Sequence, residues 1–129
     1  MGRLAVVGGH SILGNEPGSG LERRVVETER GAVTVLAGPS YLLLQRHGYD
    51  EYRTAAEIDH RANLEALRLL DCDRILAIGS VGGLRTELGV GTFLCPDDFI
   101  ALASGASFSG GRAGERVPAF DGNWRERVM

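Results

Sequence analysis

The stretch EIDHRANLEALRLLDCDRILAI, residues 57–78, decides how this chain folds. Over 57–70, Ile58, Ala62, Ala66 and Leu69 return at helical spacing while Asp59, Arg61, Glu65 and Arg68 occupy other faces, which predicts an amphipathic helix. The apolar run from Arg74 to Ile78 follows as a strand. A helix that hands on directly to a strand is the second half of a crossover, the connection that parallel strands need. The expected class is therefore α/β, with a mixed, mostly parallel sheet flanked by helices.

Upstream of this stretch, Leu4 to Val7 is a short apolar run that ends in Gly8-Gly9 and reads as a buried strand opening into a glycine-rich loop. Residues 24–27 and 33–36, separated by a turn near Arg30-Gly31, resemble a hairpin, and Tyr41 to Gln45 reads as another strand, closed by Arg46-His47-Gly48. Downstream, Gly79-Ser80-Val81-Gly82-Gly83 ends the strand after the helix. Residues 92–95 and 99–102 are further strand candidates on either side of Pro96-Asp97-Asp98. The glycine- and serine-rich segment 103–118 reads as a linker or an active-site loop. A last helix starts at Asp121-Gly122-Asn123-Trp124, with Asp121 or Asn123 as its cap.

Composition narrows the function. With 129 residues, 43% hydrophobic and 24% charged, and a net charge of −3, the chain has the profile of one ordinary globular domain. All 14 basic residues are arginines, scattered along the chain and not gathered into a run that could track a nucleic-acid backbone. No apolar run approaches the roughly 20 residues of a bilayer span, and the N-terminus lacks the pattern of a signal peptide, so a cytoplasmic protein is expected. Cys72 and Cys95 have no paired spacing and read as reduced, buried thiols.

Three turns carry the candidate chemistry. At Gly8-Gly9-His10-Ser11, glycines let backbone N–H groups approach an anion, although the loop fits neither the dinucleotide nor the Walker spacing. In Arg46-His47-Gly48 a guanidinium with fixed paired donors stands where a strand breaks, beside an imidazole that can donate a further bond. Ser80-Val81-Gly82-Gly83 is a second small-residue turn at the carboxyl edge of a strand, the place where open α/β sheets bind ligands. Each turn alone is equally an ordinary loop. His60 and Arg61 on the helix read as structural, and Asp97-Asp98 as a turn after Pro96.

Taken together, Val6-Val7-Gly8-Gly9, Leu44-Gln45-Arg46-His47-Gly48, the run Asp59-His60-Arg61-Ala62-Asn63-Leu64-Glu65-Ala66-Leu67 and Ile78-Gly79-Ser80-Val81-Gly82-Gly83-Leu84 resemble the methylthioadenosine phosphorylase branch of the nucleoside phosphorylases. Pro96-Asp97-Asp98-Phe99-Ile100 is similar to that family's next signature. The match spans about the first half of a typical member, so residues 1–129 are expected to form a single truncated domain of that fold, without its C-terminal half.

The resemblance implies a pentosyltransferase in which inorganic phosphate, the co-substrate, attacks the anomeric carbon of a purine nucleoside or of 5′-methylthioadenosine. The products are the free base and ribose, deoxyribose or 5-methylthioribose 1-phosphate. It implies no cofactor and no metal. The partners it implies are nucleoside, phosphate and further copies of the chain in a trimer or hexamer, with neither nucleic acid nor membrane. By resemblance, Arg46 and His47 carry over as phosphate ligands, Gly79 and Ser80 form the turn that touches phosphate and ribose, and Ser80, Val81 and Gly82 lie on the ribose side. His10 falls where the family has a phosphate-binding serine or threonine, with the Ser11 hydroxyl beside it. Glu51 and Tyr52 fall where a second histidine is usual. The purine-recognising aspartates belong to the family's second half, so no catalytic residue for base protonation is assigned. The alternative reading is a non-catalytic remnant that binds phosphate or supports assembly.

Overall fold

A computed structural model describes residues 2–9, 20–100, 102 and 119–129. The chain divides into two compact units, Met1–Val81 and Gly82–Met129.

The first unit is built on a five-stranded sheet. Its first strand, β1 (Arg3–Gly8), is followed by the hairpin β2 (Glu22–Thr28) and β3 (Gly31–Ala37), then by β4 (Tyr41–Gln45). The hairpin turn is closed by Thr28, whose hydroxyl donates to the Gly31 carbonyl at 2.7 Å, and by the φ of +118° that Gly31 adopts. Helix α1 (His60–Leu69) leads into β5 (Cys72–Ile78). The spatial order is β2-β3-β4-β1-β5, antiparallel across β2, β3 and β4 and parallel where β1 lies between β4 and β5. The sheet is thus mixed, and its parallel part contains the strand that follows α1, as the helix-to-strand order requires.

Helix α1 starts at His60, three residues later than the apolar spacing predicts. Glu57 is already committed to a turn in which its carboxylate accepts from the Thr54 N–H at 2.9 Å and from the Thr54 hydroxyl at 2.7 Å. Asp59 then caps the helix by accepting the Ala62 N–H at 2.9 Å, and Arg30 reaches the same carboxylate at 2.7 Å. The helix ends where Asp71 takes a left-handed φ of 58°, its N–H donating to the Arg68 carbonyl at 3.1 Å. The Asp71 carbonyl accepts from Arg3 at 3.1 Å, which ties this turn to the start of β1.

Helix α1 packs over β2, β3 and β5. It buries Ala62, Ala66 and Leu67 against Ala5, Val33, Val35, Ala37, Leu42 and Leu44. Leu69, placed on the apolar stripe by its spacing, is exposed, and Leu67 takes the inward position. Leu42, Leu44, Leu67 and Val35 are fully enclosed, each contributing roughly 1.5–3 kcal/mol from the apolar surface it removes from water.

In the second unit, α2 (Gly122–Val128) begins at the Asp121 cap, whose carboxylate accepts from the Trp124 N–H at 2.9 Å. Arg125 donates to the Cys95 carbonyl at 3.1 Å, and Phe99 meets Phe120 edge to face at 5.5 Å. The two strands expected at 92–95 and 99–102 are not formed among the described residues. A strand needs a neighbour to satisfy its alternate N–H and C=O groups, and among the described residues neither segment has one. The Asp98 carboxylate instead accepts the Phe99 N–H at 2.8 Å. The glycine-rich segment 103–118 lies outside the described residues. Cys72 and Cys95 are free, and both are half-buried where enclosed thiols are expected. Burial pushes the Cys72 thiol above its ordinary range, with Asp73 and Asp71 adding to the rise and Arg3 opposing it. No helix among the described residues is long and apolar enough to cross a membrane.

Candidate functional site

Strand register brings two of the three turns together and sets the described end of the third beside them. Gly8 pairs with Gln45 on one side and with Ile78 on the other, so three parallel strands stop at one level. Gly9, Arg46 and Gly79 are the next residues of each strand, side by side at the carboxyl edge of the sheet. This is the edge where open α/β sheets hold ligands.

Arg46 is fixed there twice. Its backbone N–H donates to the Gly8 carbonyl at 3.0 Å, and the following Gly48 N–H turns back onto Gln45 at 3.0 Å. Gly48 has a φ of +92°, and a Cβ on it would run into the Glu51 carbonyl, so this turn admits glycine alone. The Arg46 side chain is exposed and lies against Gly9. Among the described residues, Arg23, Arg24, Arg30, Arg74 and Arg85 each pair with a carboxylate, and no such pair involves Arg46. Asp50, just past the turn, is committed to Arg23 and Thr34, whose hydrogen bonds hold its carboxyl below the ordinary carboxylate range.

His47 goes the other way. Adjacent residues diverge at the strand end, and the imidazole is buried against Tyr52, stacked with centroids 5.3 Å apart and planes 5° from parallel. Its Nδ1 lies 2.9 Å from the Arg53 carbonyl. A carbonyl only accepts, so Nδ1 carries the proton. Tyr52 and the Arg53 carbonyl are orienting groups for which the sequence carried no signal of spacing or composition.

Gly79, Ser80 and Val81 are exposed beyond β5, and the space where Gly79 would carry a side chain is open for at least 4 Å. Gly82 opens the second unit. His10 and Ser11 lie outside the described residues.

Among the described residues this sheet edge thus carries the Arg46 guanidinium, which has no carboxylate partner, beside two glycine-bearing turns. The profile of the phosphorylase superfamily matches residues 16–129. The chain belongs to that superfamily. It is 29% identical, over 98% of its own length and 54% of the relative's, to a probable 6-oxopurine nucleoside phosphorylase from Archaeoglobus fulgidus. It is 36% identical, over 75% of its length and 38% of the relative's, to a probable S-methyl-5′-thioinosine phosphorylase from Methanocaldococcus jannaschii. Among solved structures it is similar to the methylthioadenosine phosphorylase of Schistosoma mansoni in complex with adenine, with a TM-score of 0.51 and 28% identity over 60% of this chain and 30% of that one. The chain spans about half the length, or less, of the relatives it matches.

Proposed function

We propose that this chain supplies the phosphate-holding side of a nucleoside phosphorylase acting on a purine nucleoside or on 5′-methylthioadenosine. In this reading a phosphate oxygen forms a bond to the anomeric carbon, the N-glycosidic bond breaks, and the purine leaves with its bonding electrons and takes up a proton. The products are a free base and a pentose 1-phosphate, or 5-methylthioribose 1-phosphate. The observation that carries the reading is the Arg46 guanidinium over Gly9, at the edge where β4, β1 and β5 end in register.

In this reading Arg46 holds the phosphate and neutralises part of its charge, His47 is a second phosphate ligand, and the Gly79-Ser80 turn serves phosphate and ribose, with Val81 and Gly82 next in the chain on the ribose side. Holding the nucleophile in line converts a bimolecular step into an effectively unimolecular one. His10 and Ser11, next in the sequence after Gly9, are further phosphate ligands in this reading. No cofactor enters this chemistry.

Calorimetric titration with inorganic phosphate tests the reading. Arg46→Ala should weaken binding by roughly 30-fold, the equivalent of about 2 kcal/mol of charge-assisted hydrogen bonding. Unchanged affinity would remove Arg46 from the site. The same reading includes self-association into a homo-oligomer, supported by apolar residues left almost fully exposed, among them Leu84, Phe93 and Leu102. Light scattering over a range of chain concentrations should give a mass above that of one copy, and a monodisperse monomer would count against it.

A further inference from the structure

Two glycines border Arg46, and they are glycines for different reasons. Gly48 has a left-handed φ, which by itself accounts for the residue. Gly9 does not: its φ lies outside the left-handed region, so no positive φ calls for glycine there. What a side chain at Gly9 would meet is the Arg46 guanidinium. A Cβ built on Gly9 would stand 2.9 Å from Arg46 Nη2, 3.2 Å from Nε and 3.3 Å from Cζ, inside or at the limit of the closest contacts such a carbon makes.

We infer that Gly9 is a positioning residue for Arg46, a bare stretch of backbone against which the guanidinium rests and which sets how far that cation stands from the sheet edge. The inference rests on the phosphate reading above and goes beyond it by assigning Gly9 a role exerted through another side chain. Two further observations point the same way. The Arg46 backbone is clamped to the neighbouring Gly8 carbonyl at 3.0 Å, so the side chain leaves the backbone from a fixed origin. Among the described residues no carboxylate partner holds the guanidinium, so its place is set by what it leans on.

Adding a methyl group here has a distinctive consequence. The atoms it would meet belong to the far end of a flexible, exposed side chain, which can swing aside with little cost to the fold. Stability and anion affinity therefore separate. A guanidinium displaced by about 1 Å loses its alignment with a phosphate held by fixed groups on either side, and misplacement on that scale costs up to roughly a hundredfold in well-organised sites.

The test is a double-variant cycle on the full chain, read by calorimetric titration with inorganic phosphate and by thermal melting. Gly9→Ala should keep the cooperative melt of the parent and weaken phosphate binding roughly tenfold. In the Arg46→Ala background the same change should have no further effect on affinity. The Arg46 Nε–Hε resonance should shift between parent and Gly9→Ala in the absence of phosphate. If Gly9→Ala binds phosphate as tightly as the parent while Arg46→Ala does not, Gly9 has no positioning role and the phosphate reading stands. If Arg46→Ala also binds normally, the phosphate reading itself falls. If Gly9→Ala abolishes the fold, or weakens binding equally in both backgrounds, glycine is needed there by the backbone and the inference is overturned.

Discussion

The two units of this chain differ in how their described apolar runs are paired. Among the described residues of Met1–Val81 the apolar runs have partners: β1 lies between two strands, the hairpin pairs with itself and with β4, and α1 closes one face. In Gly82–Met129 the runs at 92–95 and 99–102 are as apolar as β4, yet among the described residues they form no ladder, and Phe93 stays 96% exposed. The difference shows that strand-like composition is a capacity, realised only where a second strand supplies the missing hydrogen bonds.

Core truncation is the strongest way to break the comparison. Leu42 is fully enclosed at the middle of the sheet, and Leu42→Ala should cost about 2–5 kcal/mol in a denaturant titration. Phe93→Ala, a larger deletion in the second unit, should change stability by less than about 0.5 kcal/mol. Equal losses would mean that the second unit has a core of its own in solution.

Next in size is Gly48→Ala. It forces a left-handed φ on alanine and drives its methyl group into the Glu51 carbonyl, a strain of about 1–3 kcal/mol. Because the turn also aims Arg46, chemical denaturation and phosphate titration should both register the change.

The smallest effect compares like with like, since an aspartate caps each helix in the same way. Asp59→Ala should cost about 1 kcal/mol, while Asp121→Ala, on a seven-residue helix with no buried residue, should leave the main melting transition unmoved. The Asp59 carboxyl is held below its ordinary value of 3.8, first by the Ala62 N–H and then by Arg30, against the opposing effect of burial. A depressed carboxyl stabilises fully above its unfolded pKa and loses that contribution as pH falls through the folded one. The stability gap between parent and Asp59→Ala should therefore be constant near neutrality and close only at pH values below about 4. A gap that persisted in acid would assign the effect to packing.

What could be read from the sequence follows the range of the forces involved. Helix α1, the hairpin, β1, β4 and β5 are set by local periodicity and turn residues, and each was legible to within a few positions. Arg46 was legible as a candidate because Gly48 marks the end of its strand. Its contact with Gly9 was not, because that depends on the register of β1 against β4, which no local pattern encodes. The orientation of His47 by Tyr52 and the Arg53 carbonyl was hidden for a similar reason, since it depends on how the loop after Gly48 folds back. Residues 92–95 were misread because their strand-like composition says nothing about whether a neighbouring strand exists.

The position of β1 has a consequence in time. The strand at the heart of the parallel pairing precedes both of its partners in the chain, one of them separated from it by α1 as well. The hairpin can close within roughly 1–10 μs using only its own residues. The parallel ladders must first bear the entropy of closing long loops, and such pairing forms slowly. The carboxyl edge that joins Gly9, Arg46 and Gly79 does not exist until those ladders zip. In a refolding experiment the ability to capture an anion should therefore be the last property to return, appearing after the hairpin and the helical signal have recovered.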